Sequence, residues 1–275
     1  MTGPVMSIKK PSKTMDMSSW VDSRQSQGLY FFSREEALKS LQISELAFKK
    51  AARRLANKNR ISRIHGGFFV IIPLEYSATG ILPAEWFIDD LMEFIGQSYY
   101  VGLLSAAALH GAAHQQPQQF QVVTTDPLRE IKSHGLAIRF FSRSSLDEVA
   151  LTRVKVQTGN IPVSTAEATA LDLIRYSRRI GGIDRVFTVL QELGETMEQT
   201  KLEDAAKADG NAAYIQRLGF LLEKAGFSTL AEPLSKWVSK QNAFPVRLDV
   251  SMPAKGAKKD ERWKILVNFD IEGDL

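Results

Sequence analysis

Between Ser33 and Ile72 the chain sets two helix starts, one cationic amphipathic helix and a glycine-tipped pair of apolar runs in direct succession, an order that few folds accept. Ser33-Arg34-Glu35-Glu36 has the spacing of a capping box, in which a hydroxyl and a carboxylate each satisfy an orphan backbone N–H. Ser44 is a second N-cap, and the composition after it predicts a helix to about Asn59. At 100° per residue this helix gathers Phe48, Ala51, Ala52 and Leu55 on one face. Lys50, Arg53 and Asn57 fall opposite, flanked by Lys49 and Arg54. Arg60–Ile64 and Phe68–Ile72 then flank His65-Gly66-Gly67, which predicts a hairpin ended by Pro73. Upstream, Met15–Gln27 reads as a helix anchored by Trp20, and Leu29–Phe32 as a short strand.

Helix, short strand, helix, tight turn, basic helix and hairpin is the order of a winged helix-turn-helix, expected over residues 15–75 behind a flexible basic arm at 1–14. Charge agrees with it. Within residues 1–75, Lys and Arg outnumber Asp and Glu by 13 to 6, whereas in the rest they are outnumbered 25 to 22. A recognition helix needs small apolar residues for packing and a cationic outer face for the major groove. The DNA-contacting set is therefore Lys49, Lys50, Arg53, Arg54 and Asn57 on the helix, with Arg60, Arg63 and His65 on the hairpin. Lys9, Lys10 and Lys13 could trail along the backbone. The alternative is a winged domain used for protein contact, with a solvated basic face.

The chain has 275 residues and no cysteine, so disulfides, thiolate metal sites and cysteine nucleophiles are excluded, and a cytoplasmic setting is expected. No apolar run follows the N-terminal lysines as a secretory signal requires, and Tyr99–Ala113 is too short to span a membrane. From about residue 80 to 275 a larger mixed domain is expected, making the whole α+β with a helical C-terminal part. Its expected elements are helices over 85–92 and Ser98–His110, strands over Phe120–Thr124 and Ala137–Phe141, and two strands within Arg153–Val163 around Gly159-Asn160. Ser164 caps the next helix; Ile183–Leu193, 200–208, Ala212–Ala225 and Thr229–Lys240 follow. Val246–Val250 and Lys264–Phe269 are strands joined by a basic loop, Lys255–Lys259.

In this order the segments resemble the AbiEi family, the antitoxin and transcriptional-repressor component of bacterial type IV toxin–antitoxin systems. The likeness runs from about Gly28 to Ala225. It rests on the winged region, on Tyr100-Val101-Gly102-Leu103-Leu104-Ser105-Ala106-Ala107-Ala108-Leu109-His110-Gly111 before Phe120–Thr124, on Val163–Leu173, and on Gly181-Gly182-Ile183 with Arg217–Glu223. The resemblance implies autoregulation through inverted-repeat operator DNA and counteraction of an AbiEii-like nucleotidyltransferase toxin. The antitoxin role carries over as a region only, and the segment from about Phe244 matches no motif of the family.

Tests for catalysis give no supported site, so neither enzyme activity nor a cofactor is expected. His110 and His114 have an i,i+4 spacing, but Gly111 lies between them and no H-E-x-x-H glutamate is present. Asp270-Ile271-Glu272 has no phosphate-binding turn before it. Asp249, Glu261 and Lys264 resemble a nuclease set with the lysine one residue out of phase; a metal-dependent nuclease stays as the remote alternative. Arg175, Arg178, Arg179 and Arg185 cluster around Gly181-Gly182, either as a solvated helix end or as a second patch for an anion or a partner.

Overall fold

The computed structural model describes residues 15–112 and 118–271. The expected basic arm at 1–14, His114 and Glu272 lie outside them. The chain is a mixed α+β protein that divides into two compact units, Met1–Phe94 with Lys132–Gly135, and Ile95–Ile131 with Leu136–Leu275.

In the first unit, α1 (Met17–Ser26), β1 (Phe31–Ser33), α2 (Arg34–Leu41), α3 (Glu45–Ala56), β2 (Ile61–His65) and β3 (Phe68–Ile71) follow one another. Each helix starts where a short polar side chain accepts a backbone N–H: Asp16 from Ser19, Ser33 from Glu36 and Ser44 from Ala47. Half of the expected capping box forms. The Glu36 carboxylate turns away to Arg24, which also donates to the Phe31 carbonyl and lies over the Trp20 ring. Strand order β1-β3-β2 is antiparallel throughout, and His65 pairs with Phe68 across the two-residue turn Gly66-Gly67. Gly67 has φ +91°, a conformation that a β-branched residue would resist. Trp20, Phe32, Phe48, Leu55 and Phe69 pack with the small Ala37, Ala51 and Ala52 into one core. The chain continues through α4 (Ile88–Ile95).

The second unit is built on β4 (Tyr99–Val101), α5 (Leu103–Leu109), β5 (Phe120–Thr124), β7 (Leu136–Ser142), β8 (Leu151–Val156), β9 (Gly159–Ser164) and α6 (Ala166–Arg175), while most of β6 (Ile131–Ser133) is counted with the first. Within the second unit the strand order is β7-β5-β4-β9-β8. The helix expected over Ser98–His110 begins as strand, because Tyr99–Val101 pair with Val122–Thr124 and Val101 with Val163. Helical winding starts only after the extended Gly102, where any added Cβ would press on Val123 and Tyr100. The β8–β9 turn falls at Gln157-Thr158, two residues before the expected Gly159-Asn160, since Gly159 already pairs with Val156. Thr165, and not Ser164, caps α6; the Ser164 hydroxyl sits 2.7 Å from that of Thr169.

Helices α7 (Gly182–Leu193), α8 (Gln199–Asp209), α9 (Ala212–Lys224) and α10 (Ser228–Lys240) complete the helical part, with β10 (Val246–Arg247), β11 (Lys258–Asp260) and β12 (Ile265–Val267) after it. Part of the expected Lys255–Lys259 loop is strand: Lys258–Asp260 pair with Ile265–Val267. The C-terminal segment is fixed to α9 by Trp263, which is buried and donates to Glu223 at 2.5 Å. A Cβ on the mid-helix Gly219 would overlap the Trp263 ring, so the helix tolerates a poor helix former there to admit the indole.

Candidate nucleic-acid interface

Helix α3 buries Phe48, Ala51, Ala52 and Leu55 and leaves Lys49, Lys50, Arg53 and Arg54 exposed. At 100° per residue these four cations span about 140° of the helix surface. Lys49 and Arg53 line one flank together with Arg63 of β2, Arg34 of α2 and the backbone of Gly66 and Gly67. This flank borders a groove of about 540 Å³ whose apolar lining is Phe48, Ala52, Ala56 and Phe69. Arg54 and Lys58 line the other flank with Asp16, Met17 and Ser18. Asn57 and Lys50 stand exposed between the two, and Leu46 in the first turn is 63% exposed.

Among the described residues, Lys49, Lys50, Arg53, Arg54 and Arg63 take part in no ion pair. Arg34 has one long one, 3.7 Å to Glu45. Uncompensated cations crowded on one helix and one strand raise the local positive potential, and a polyanion relieves it. His65 is exposed at the end of β2 beside the turn. Arg60 differs from the expected set. It precedes β2, and its guanidinium lies 2.5 Å from Asp22 and 3.4 Å from Gln25 on α1, so it joins the hairpin base to the first helix.

The four arginines around Gly181-Gly182 do not act together. Arg175 faces inward and bonds Asp209, with its Nε 3.8 Å from Asp172 and its guanidinium over Tyr214. Arg143 reaches the same two carboxylates at 3.4 Å each, and the Tyr100 hydroxyl donates to Asp172 at 2.6 Å. Burial pushes the Asp172 carboxyl up to about 6, against the lowering effects of Tyr100, Arg143 and Arg175. Sequence reasoning missed this network, whose members are scattered from residue 100 to residue 209. Its sequence signal is an acid, Asp172, set between Leu171 and Leu173 on α6.

The groups tested for chemistry are engaged elsewhere. His110 Nε2 donates to the Ser164 carbonyl at 2.7 Å. Asp249 accepts from Ser251, Glu261 pairs with Lys259 in solvent, and Lys264 donates to the Ala243 carbonyl, so the nuclease-like set does not converge. No cluster of three or more His, Cys, Asp or Glu suited to a metal occurs among the described residues. None of their helices is long and apolar enough to cross a membrane.

The fold is similar to that of the RV2827C protein from Mycobacterium tuberculosis, a crystal structure matched with a TM-score of 0.64 at 15% identity over 90% of this chain and 89% of that one. At that identity the likeness shows the fold alone. No curated protein sequence matches the chain. Residues 100–224 match the model of the AbiEi antitoxin C-terminal domain. They run from Tyr100 in β4 through α9 and include all of the buried Tyr100–Arg143–Asp172–Arg175–Asp209 network. Over this stretch the chain is similar to the C-terminal domain of AbiEi antitoxins.

Proposed function

We propose that residues 15–75 form a winged helix-turn-helix that binds operator DNA and represses transcription, and that residues 80–275 act as the antitoxin domain of a toxin–antitoxin pair. The observation that carries the DNA reading is the set of unpaired cations on α3 and β2 around one groove. A 12-residue helix is about 18 Å long, and with side chains it fits the major groove of B-DNA. In this reading Lys49, Lys50, Arg54 and Arg63 neutralise phosphates, while Arg53 and Asn57 reach base edges. The glycine-tipped hairpin, with His65, lies along the adjacent backbone. The AbiEi match supports an antitoxin role, and the partner that role implies is a nucleotidyltransferase-type toxin of the AbiEii kind.

A gel shift with the DNA upstream of the chain's own reading frame tests the first half. Lys50→Ala with Arg53→Ala should weaken binding roughly a hundredfold and lower the slope of log K against log salt by about 0.9, since of the two only Lys50 neutralises a phosphate. Both side chains are exposed, so the melting temperature should stay within about 2 °C. Unchanged shifts would remove α3 from the interface. Protein docking is the second reading, favoured by Leu46 standing exposed in the first turn of α3. It requires that a Leu46→Asp variant lose the co-purifying toxin while retaining the DNA shift.

A further inference from the structure

Once Arg175 is assigned to the buried network, Arg178, Arg179 and Arg185 remain beside Gly181-Gly182, and Arg139 of β7 joins them. Arg139 donates from Nη1 to the Arg179 carbonyl at 2.8 Å, and Arg179 donates from Nη2 to the Phe140 carbonyl at 3.3 Å. Both guanidinium carbons lie over the buried Phe141 ring, 5.2 Å from its centroid for Arg139 and 4.4 Å for Arg179. Two like charges are thus held against one ring by backbone carbonyls. Among the described residues neither has a carboxylate partner, and the same is true of Arg178 and Arg185. Asp184, in the first turn of α7, pairs with none of the four.

Surface arginines are ordinarily neutralised by nearby acids or left free to move. Here the guanidiniums are positioned and the countercharge is missing, which is how an anion site is built. The turn adds to it. Gly181 has φ +116°, and a Cβ there would come within 3.3 Å of the Arg185 side chain, so glycine lets Arg185 pack over the turn. Each guanidinium has five N–H donors, and one of those on Arg139 and one on Arg179 are used internally. The remaining forks suit an acceptor with several charged oxygens on one centre.

We propose that Arg139 and Arg179, with Arg178 and Arg185 beside them, bind the phosphate groups of a nucleotide or of a single RNA strand. The site lies within the stretch similar to the AbiEi antitoxin domain and is independent of the DNA reading. Fluorescence anisotropy with a labelled, unstructured RNA of about 12 nucleotides tests it, using the full chain with Lys50→Ala and Arg53→Ala in every arm to silence α3. Adding Arg139→Gln and Arg179→Gln should weaken RNA binding at least about tenfold and lower the salt slope by about 1.4. Arg178→Gln with Arg185→Gln touches no internal hydrogen bond, and should weaken it at least about threefold even if the first pair disturbs folding. Titration with ATP separates the sources: displacement of the RNA, or heat of ATP binding lost in the same variants, assigns a nucleotide, whereas RNA bound without displacement assigns the strand. Affinities within about twofold of the parent in both variant pairs would overturn the site. So would failure of RNA and ATP to bind, or binding of an acidic peptide alone.

Discussion

Helix α3 and helix α6 both carry arginines, and the two handle them in opposite ways. On α3, Arg53 and Arg54 stand in solvent in no ion pair, with the capping Asp16 on the Arg54 flank, and the helix buries only the other side. On α6, nine successive residues, Ala166–Ile174, are buried, and Arg175 closes onto Asp172 and Asp209 while Arg143 comes in from beyond β7 to complete two cations against two anions. The difference teaches that a guanidinium is ambiguous until its countercharge is located. Exposed and unpaired, it is free to meet a ligand; buried and paired, it fixes the packing of β4, α6 and α8. In water the first arrangement adds little to stability. Inside the protein, removal of one carboxylate leaves two buried guanidiniums sharing the other.

The largest expected effect breaks the buried side of that contrast. Asp172→Ala removes the acceptor of the Tyr100 hydroxyl and the carboxylate shared by Arg143 and Arg175, and it leaves a cavity as well. Urea unfolding should show a loss of about 3–5 kcal/mol. Loss below about 1 kcal/mol would mean that the arginines find water instead, and that the network is no more than a partly wetted surface pair.

The contrast was half legible in the sequence. Ser33 and Ser44 announce their helices because an N-cap is a local device, and the Gly66-Gly67 turn is local too. The faces of α3 follow from its period alone, so the exposed cations can be placed before any coordinates exist. By contrast Tyr99–Val101 reads as the start of a helix, since the alanines after it favour one. Pairing with Val122–Thr124 and Val163, distant in sequence, decides otherwise. The same non-locality hides Arg175, which looks like a cation at a helix end until Asp209, 34 residues on, is brought beside it. Trp263 on Gly219 is a third case: by propensity a glycine inside α9 only weakens the helix, and its use shows once the indole is placed against it.

A smaller effect sharpens the comparison by pH. Burial holds the Asp172 carboxyl at about 6 in the folded chain, above the 3.8 of a free side chain. A carboxyl raised by folding favours the native state while protonated. Its contribution is therefore complete below about pH 3.8 and is lost as pH rises through about 6. In Asp172→Asn the amide still accepts from Tyr100 but cannot ionise. Between pH 4 and pH 7 the wild type should lose stability relative to this variant by an amount on the order of 2 kcal/mol. Asp90, also raised to about 6 by burial and by Asp89 and Glu93, is common to both proteins and cancels in the difference. A difference independent of pH would place the Asp172 carboxylate in contact with water.

The smallest effect concerns the boundary between the two kinds of arginine. By sequence Arg60 belongs with the DNA-contacting cations, yet its guanidinium is spent on Asp22 and Gln25 of α1, with Asp22 half exposed. Solvent screens such a pair, so Arg60→Ala should cost no more than about 1 kcal/mol in urea unfolding. It should also change operator affinity by less than about threefold, against the roughly hundredfold loss expected when Lys50 and Arg53 are removed together. A loss of operator binding in Arg60→Ala as large as in the α3 pair, with stability unchanged, would show that Arg60 leaves Asp22 when DNA is present. The countercharge would then be a placeholder for phosphate, and pairing in the free protein would cease to separate structural arginines from binding ones.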